Sequence, residues 1–362
     1  MINIPRSHFE KIIVHTVLKK RRDQEHSNCL FEVEELTLEA RIIELLKERI
    51  NNAIGIESKS FKLKIVESGD ESFFKFARDI MSNDGDFVAI SQRIAQKLAV
   101  SQTNSNISGG YIFIVKGVSV ENENFVIALK AEVHNALSLR HVNGRADIQF
   151  IEDIFLSPST KFYKLGIIYE EANDQETFPN NEYSSLLFDN QFNPTLNPAE
   201  FFTKNFLGLD LNSSDKIQTR KFFDQVNSFI YDEISDPVNR MELTSLVRNI
   251  MKYDMSNIID PESFRDRFFG GNDDIKQRFS TQVLINYPRQ IIKNTSLLDF
   301  SLKTKKVFFP NKIKIEGPED TFDRNVQVFP HITEDVIRGI FNGGGNRHSM
   351  ILVKGEPYER ES

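Results

Sequence analysis

The sequence contains no tryptophan and a single cysteine among its 362 residues. One thiol, Cys29, can close neither an intramolecular disulfide nor a cysteine-based zinc site, so nothing here requires an oxidising compartment. The opening residues lack the charged, then apolar, then small order of a signal peptide. No run approaches the roughly 20 apolar residues of a membrane span. The expectation is a soluble, cytoplasmic protein with no membrane partner. Net positive charge is missing too: 52 acidic residues face 45 Lys and Arg, for a formal net charge of -7. An unselective nucleic-acid coat is usually basic, because its affinity comes from neutralising phosphates and releasing counterions. Contact with DNA must therefore rest on a local basic patch or on a partner protein.

Phenylalanine is abundant, at 31 residues, and supplies much of the apolar burial; hydrophobic residues make up 40% and charged ones 27%. That balance is globular, and the length suits two domains or one large core. A strand is expected over 11–18 and an amphipathic helix over 36–54, with apolar residues on a 3.6-residue period. Helices follow over 73–81 and 87–100. The polar loop 101–110 then leads into two apolar strands, 111–120 and 125–133, whose unbroken character implies burial on both faces. Further strands are expected at 147–156 and 161–169. Residues 170–182 are acidic, rich in Asn and aperiodic, which reads as a linker or surface insertion. Helical text runs from Pro198 to about Gly270, with Asn197-Pro198 as its cap. Strands return at 296–302, 306–309 and 312–316, with Pro310-Asn311 as a turn. Near the C-terminus a helix over 334–341 and a strand over 350–353 are expected. The whole reads as α+β: an N-terminal mixed domain, 1–169, around a central antiparallel hairpin; a linker, 170–197; and a helical then β-rich domain, 198–362.

Four stretches carry a family resemblance in the right order. GGYIFIVKGVSVENENFVIALKAEVHNAL, from Gly109, has a Gly-Gly pair opening an apolar strand and a second strand ending in a small-residue, Asn-containing tail. Ile12-Ile13-Val14-His15 supplies an opening strand with its histidine. PAEFFTKNFLG, from Pro198, is a helix closing on Phe-Leu-Gly. KVFFP, from Lys306, and KIKIEG, from Lys312, form a C-terminal hairpin. Together they resemble the bacterial nucleoid-associated protein family, the NdpA-like proteins, over roughly residues 12–317. The acidic insertion and the tail beyond His331 depart from that pattern. The resemblance implies association with the chromosome, and with DNA-topology enzymes as partners. It brings no catalytic residue and no cofactor.

Three basic groups are the candidates for DNA contact. Lys19, Lys20, Arg21 and Arg22 form the densest positive cluster, either a phosphate-contacting arm or a solvated loop. Arg140, His141 and Arg145 flank Asn143-Gly144, a turn that would present them together, with Lys130 upstream completing a basic rim. Lys303, Lys305, Lys306, Lys312 and Lys314 belong to the C-terminal hairpin, where lysines fit a duplex-lining ribbon or a protected edge. The glycine-rich stretch at 342–348 lacks the Lys and Ser/Thr of a phosphate loop. The seven histidines show no zinc-ligand spacing, and Asp70-Glu71 and Asp273-Asp274 read as helix caps. The expected function is a non-enzymatic, sequence-tolerant contact with double-stranded DNA. The alternatives are an adaptor subunit of a multi-protein assembly, such as an anti-phage defence system, and a metal-dependent nuclease assembled from distant carboxylates. The Phe-rich segments around Phe201, Phe202, Phe206, Phe222 and Phe223 fit either core or a homodimer face.

Overall fold

A computed structural model describes residues 2–132, 134–142, 145–154, 164–171, 182–192, 199–287, 290–308, 313–332 and 348–354. The chain divides into two compact units, Met1–Ser214 and Asp215–Ser362.

In the first unit the elements run β1 (His8–Val17), β2 (Cys29–Leu30), α1 (Ala40–Ile54), β3 (Ser60–Ile65), α2 (Phe73–Met81), α3 (Phe87–Ser101), β4 (Gly110–Val118) and β5 (Asn124–Ala131). The chain continues through β6 (His134–Val142), β7 (Arg145–Ile154), β8 (Lys164–Glu171), β9 (Glu182–Asp189) and β10 (Leu209–Asp210). Eight strands form one antiparallel sheet in the order β10-β3-β9-β8-β5-β4-β1-β2, and β6 pairs with β7 in a separate hairpin. β4 and β5 are thus central strands, as their apolar text requires. Phe113, Val115, Phe125, Ile127, Leu129, Leu165 and Ile167 pack with Leu46 and Ile50 of α1. The alternate residues Ile112, Ile114, Val126, Ala128 and Ile168 are equally buried. Strand alternation turns these toward the opposite face, where α2 and α3 lie against β5 and β1.

Local chemistry sets the element ends. Ser72 caps α2 by accepting the Lys75 N–H at 3.0 Å, and Asn272 caps a later helix by accepting the Ile275 N–H. The acidic pairs beside these positions are therefore not the caps. α1 begins at Ala40 instead of residue 36, because the Leu36 N–H bonds to the Ile12 oxygen at 2.7 Å and keeps that segment extended along β1. Phe201–Phe206 is wound as a π-helical turn, with the Leu207 N–H reaching the Phe202 oxygen at 3.0 Å. The linker expected over 170–197 contains β9, which pairs with β8 on one side and β3 on the other. Residues 172–181 of that segment, and the cap Asn197-Pro198, lie outside the described residues.

The second unit holds α4 (Asp215–Glu233), α5 (Pro237–Tyr253), β11 (Ile258–Ile259), α6 (Pro261–Phe269), α7 (Asp273–Gln282), β12 (Ile291–Ile292), α8 (Asp299–Lys303), β13 (Thr304–Phe308), β14 (Lys314–Pro318), α9 (Glu319–Asn325), β15 (Val326–Ile332) and β16 (His348–Val353). Its core is built on Phe222, Phe229, Phe264, Phe269 and Phe279. Phe202 and Phe206 are fully buried in the first unit, as Phe222 is in the second, so these rings are core. The strand expected at 296–302 is a correction: the segment is a turn followed by α8. Leu298 and Leu302, four apart, are both buried, which is helical spacing. Arg248 holds the end of α8 by donating to the oxygens of Ser301, Leu302 and Thr304, at 2.6, 3.1 and 3.2 Å. The β13–β14 and β15–β16 pairs are two-stranded ribbons. The helix expected over 334–341, most of the glycine-rich stretch and Pro310-Asn311 lie outside the described residues.

Candidate nucleic-acid interface

One end of the eight-stranded sheet carries Lys19, Lys20, Arg21 and Arg22 and the root of the hairpin on which Arg140, His141 and Arg145 stand. There β1 finishes at Val17 opposite Gly110, where β4 begins, and Tyr111 lies opposite Ala131 at the close of β5. Lys19, Lys20, Arg21 and Arg22 leave the sheet directly after β1 and turn back where the Gln24 N–H bonds to the Arg21 oxygen at 3.2 Å. Lys19, Arg21 and Arg22 are exposed and Lys20 is half-buried. None of the four makes an ion pair with a carboxylate among the described residues. The β6–β7 hairpin departs from the same end, two residues beyond β5.

That hairpin carries Arg140 opposite Asp147, His141 opposite Ala146, and Arg145 opposite Val142 as the last pair before the turn. Asn143-Gly144 lies outside the described residues. The Gly109-Gly110 pair sets how closely β4 starts between the end of β1, just before Lys19, and the end of β5 at Ala131. Gly110 has φ +146°, and a Cβ there would collide with the Ala131 carbonyl oxygen; a Cβ on Gly109 would lie 2.7 Å from the Lys19 nitrogen. Only glycine lets β4 enter between them.

Beneath this end runs a buried polar row that sequence reasoning missed. Successive register partners are His15, Ile112, Lys130, Lys164 and Asp189 across β1, β4, β5, β8 and β9. Lys164 is fully buried and meets the buried Asp189 at 2.6 Å, while Asp189 also accepts the Gln191 and Ala199 N–H groups at 3.0 and 3.2 Å. Lys130, 1% exposed, donates to the Ser108 oxygen at 2.8 Å. It is thus interior and not part of a rim. Desolvation pulls the Lys130 ammonium down to about 8, against the opposing pull of Glu132, which leaves it mostly charged at neutral pH. Desolvation likewise lowers Lys164, and Asp189 works against that.

His15 closes the row. Its Nδ1 accepts the Glu32 N–H at 3.1 Å, so the ring proton sits on Nε2 and goes to Ser91 Oγ at 2.9 Å; Ser91 in turn donates to the Val88 oxygen. Burial lowers this imidazole to about 4. A readable signal for the row existed in the text, since FVIALKA and KLGIIY each place one lysine in an otherwise apolar strand.

The second unit treats its lysines differently. Lys303 pairs with Asp299 at 3.0 Å, Lys305 with Asp323 at 2.6 Å, Lys306 with Glu316 at 3.1 Å, and Lys314 with Glu316 at 2.5 Å. Lys312 lies outside the described residues. Among the described residues no three His, Cys, Asp or Glu side chains converge as a metal site, and no helix is long and apolar enough to cross a membrane.

These features are a sheet opened by a double glycine, a first strand bearing a histidine, and a C-terminal lysine-bearing ribbon. They fall within the span that a protein-family model recognises. Described as nucleoid-associated protein YejK, that model matches residues 13–340. A comparison with curated proteins gives no match. With the match running from β1 past β15, the chain belongs to the nucleoid-associated protein YejK family.

Proposed function

We propose that the chain binds double-stranded DNA at the nucleoid through phosphate contacts made by the basic end of the first unit's sheet. The family is nucleoid-associated and not a known enzyme family, and the reading is non-enzymatic. The observation that carries it is the contrast in pairing. Lys19, Lys20, Arg21 and Arg22 have no carboxylate partner among the described residues, whereas Lys303 and Lys305 each have one of their own and Lys306 and Lys314 share Glu316. An ammonium already paired offers little to a phosphate; an unpaired cluster on a chain of net charge -7 is a local exception with a use. Arg140, His141 and Arg145, on a hairpin leaving the same end, extend the contact. Phosphate contacts carry no base information, so the binding is sequence-tolerant.

The test is a titration of labelled duplex DNA between about 50 and 200 mM salt. Affinity should fall steeply with salt, and replacing residues 19–22 by alanine should lower the log–log slope by about 3 to 4. Replacing Lys303, Lys305 and Lys306 should leave the slope nearly unchanged. A chain acting only as an adaptor, whether for a DNA-topology enzyme or for a defence assembly, would leave duplex DNA unbound even at low salt, and that result overturns the reading.

A further inference from the structure

We infer that β14 is a self-recognition strand, which pairs antiparallel with β14 of a second copy of this chain around a two-fold axis at Ile315. The inference is independent of DNA binding. It starts from an edge left open: among the described residues β14 pairs only with β13, and no strand covers its other side. A two-stranded ribbon is marginal alone in water, and an open edge is a template for another strand. The large sheet handles the same hazard differently, ending on both sides in strands of two residues, β2 and β10. β14 has five residues, and beside it Ile313 and Phe308 are 57% and 70% exposed.

The sequence of β14 identifies what covers it. With Ile315 on the axis, antiparallel register sets Lys314 opposite Glu316 of the second copy, and by symmetry Glu316 opposite Lys314. Ile315 meets its own image, and Ile313 meets Gly317. Both charged pairs are attractive, and the symmetry makes each occur once on either side of the axis. β13 offers no such complement: an axis at Val307 sets Lys306 against Phe308 and forms no charged pair, and an axis at Lys306 sets like charges directly opposite. Two chains of net charge -7 repel each other, so a shared edge has to be locally balanced, and Lys314 with Glu316 is balanced. Within one ribbon Glu316 already serves two ammoniums, Lys314 of its own strand at 2.5 Å and Lys306 across the ribbon at 3.1 Å, so docking gives each Lys314 a second carboxylate and extends an existing charge row.

The experiment is light scattering of the full chain over a concentration series, with circular dichroism of each variant to confirm that it folds. The natural chain should shift from monomer to dimer as concentration rises. Lys314→Glu and Glu316→Lys should each weaken the dimer by on the order of tenfold, because each sets like charges across the axis. An equimolar mixture of those two variants should recover the dimer, every carboxylate then facing an ammonium. The double swap in a single chain should recover it as well. The rescue separates an interface from a folding defect, since mixing cannot repair Lys306 repulsion within one ribbon. A natural chain that stays monomeric, single variants that dimerise like the natural chain, or a mixture that fails to recover the dimer would each overturn the inference.

Discussion

At the scale of the residue, the buried Lys164–Asp189 pair is both costly and indispensable. Two charges removed from water are barely repaid by their attraction, but removing one partner strands the other. Asp189→Asn should destabilise the first unit by roughly 3 kcal/mol, measured by urea unfolding, whereas replacing both residues with apolar ones of similar volume should cost far less. A single substitution that leaves the denaturation midpoint unmoved would contradict the pairing. His15 gives a pH signature of known sign. Its folded pKa of about 4 lies below the ordinary 6.5, so between those values the unfolded chain binds a proton that the folded chain refuses. Stability should therefore fall as pH drops from about 6.5 toward 4, by at most roughly 3 kcal/mol, and His15→Gln should flatten that slope. At this scale the sequence showed the lysines but not their fate. Lys130 and Lys164 stand out in apolar strands, yet the register that brings Lys164 to Asp189 depends on a hairpin whose loop carries no periodic signal.

At the scale of the element, legibility followed apolar spacing. The helices expected at 73–81 and 87–100 were readable from that spacing alone; the side-chain caps at Ser72 and Asp86 that start them were not read. The segment at 36–39 was over-read as helix, since its apolar residues serve an extended contact with β1. Residues 296–302 alternate well enough to mimic a strand, and only the packing of Leu298 and Leu302 into the second core settles α8 as a helix. The double glycine is an element in its own right, and its effect can be measured. Gly110→Ala demands a left-handed backbone from alanine and drives its Cβ into β5. The loss should exceed about 2 kcal/mol in thermal or chemical unfolding. Unchanged stability there would mean that β4 enters the sheet differently.

At the scale of the molecule, the α+β class and the central place of the 111–133 hairpin were legible, because buried strands announce themselves by unbroken apolar text. Contacts separate the units at Ser214 and Asp215, well past the acidic stretch that composition marks out, since β9 and β10 return to the sheet after it. Strand order has a further consequence, for synthesis. β3 carries the buried Phe61 and Leu63, and its ladder partners are β9 and β10, while every strand made in between pairs elsewhere. At about 5–20 residues per second, the roughly 120 residues separating β3 from β9 take about 6–24 s to appear. Through that interval β3 waits without its neighbour. The nascent chain thus carries an apolar strand in need of shelter, and the ribosome's pace, more than the folding rate of the sheet, sets how long.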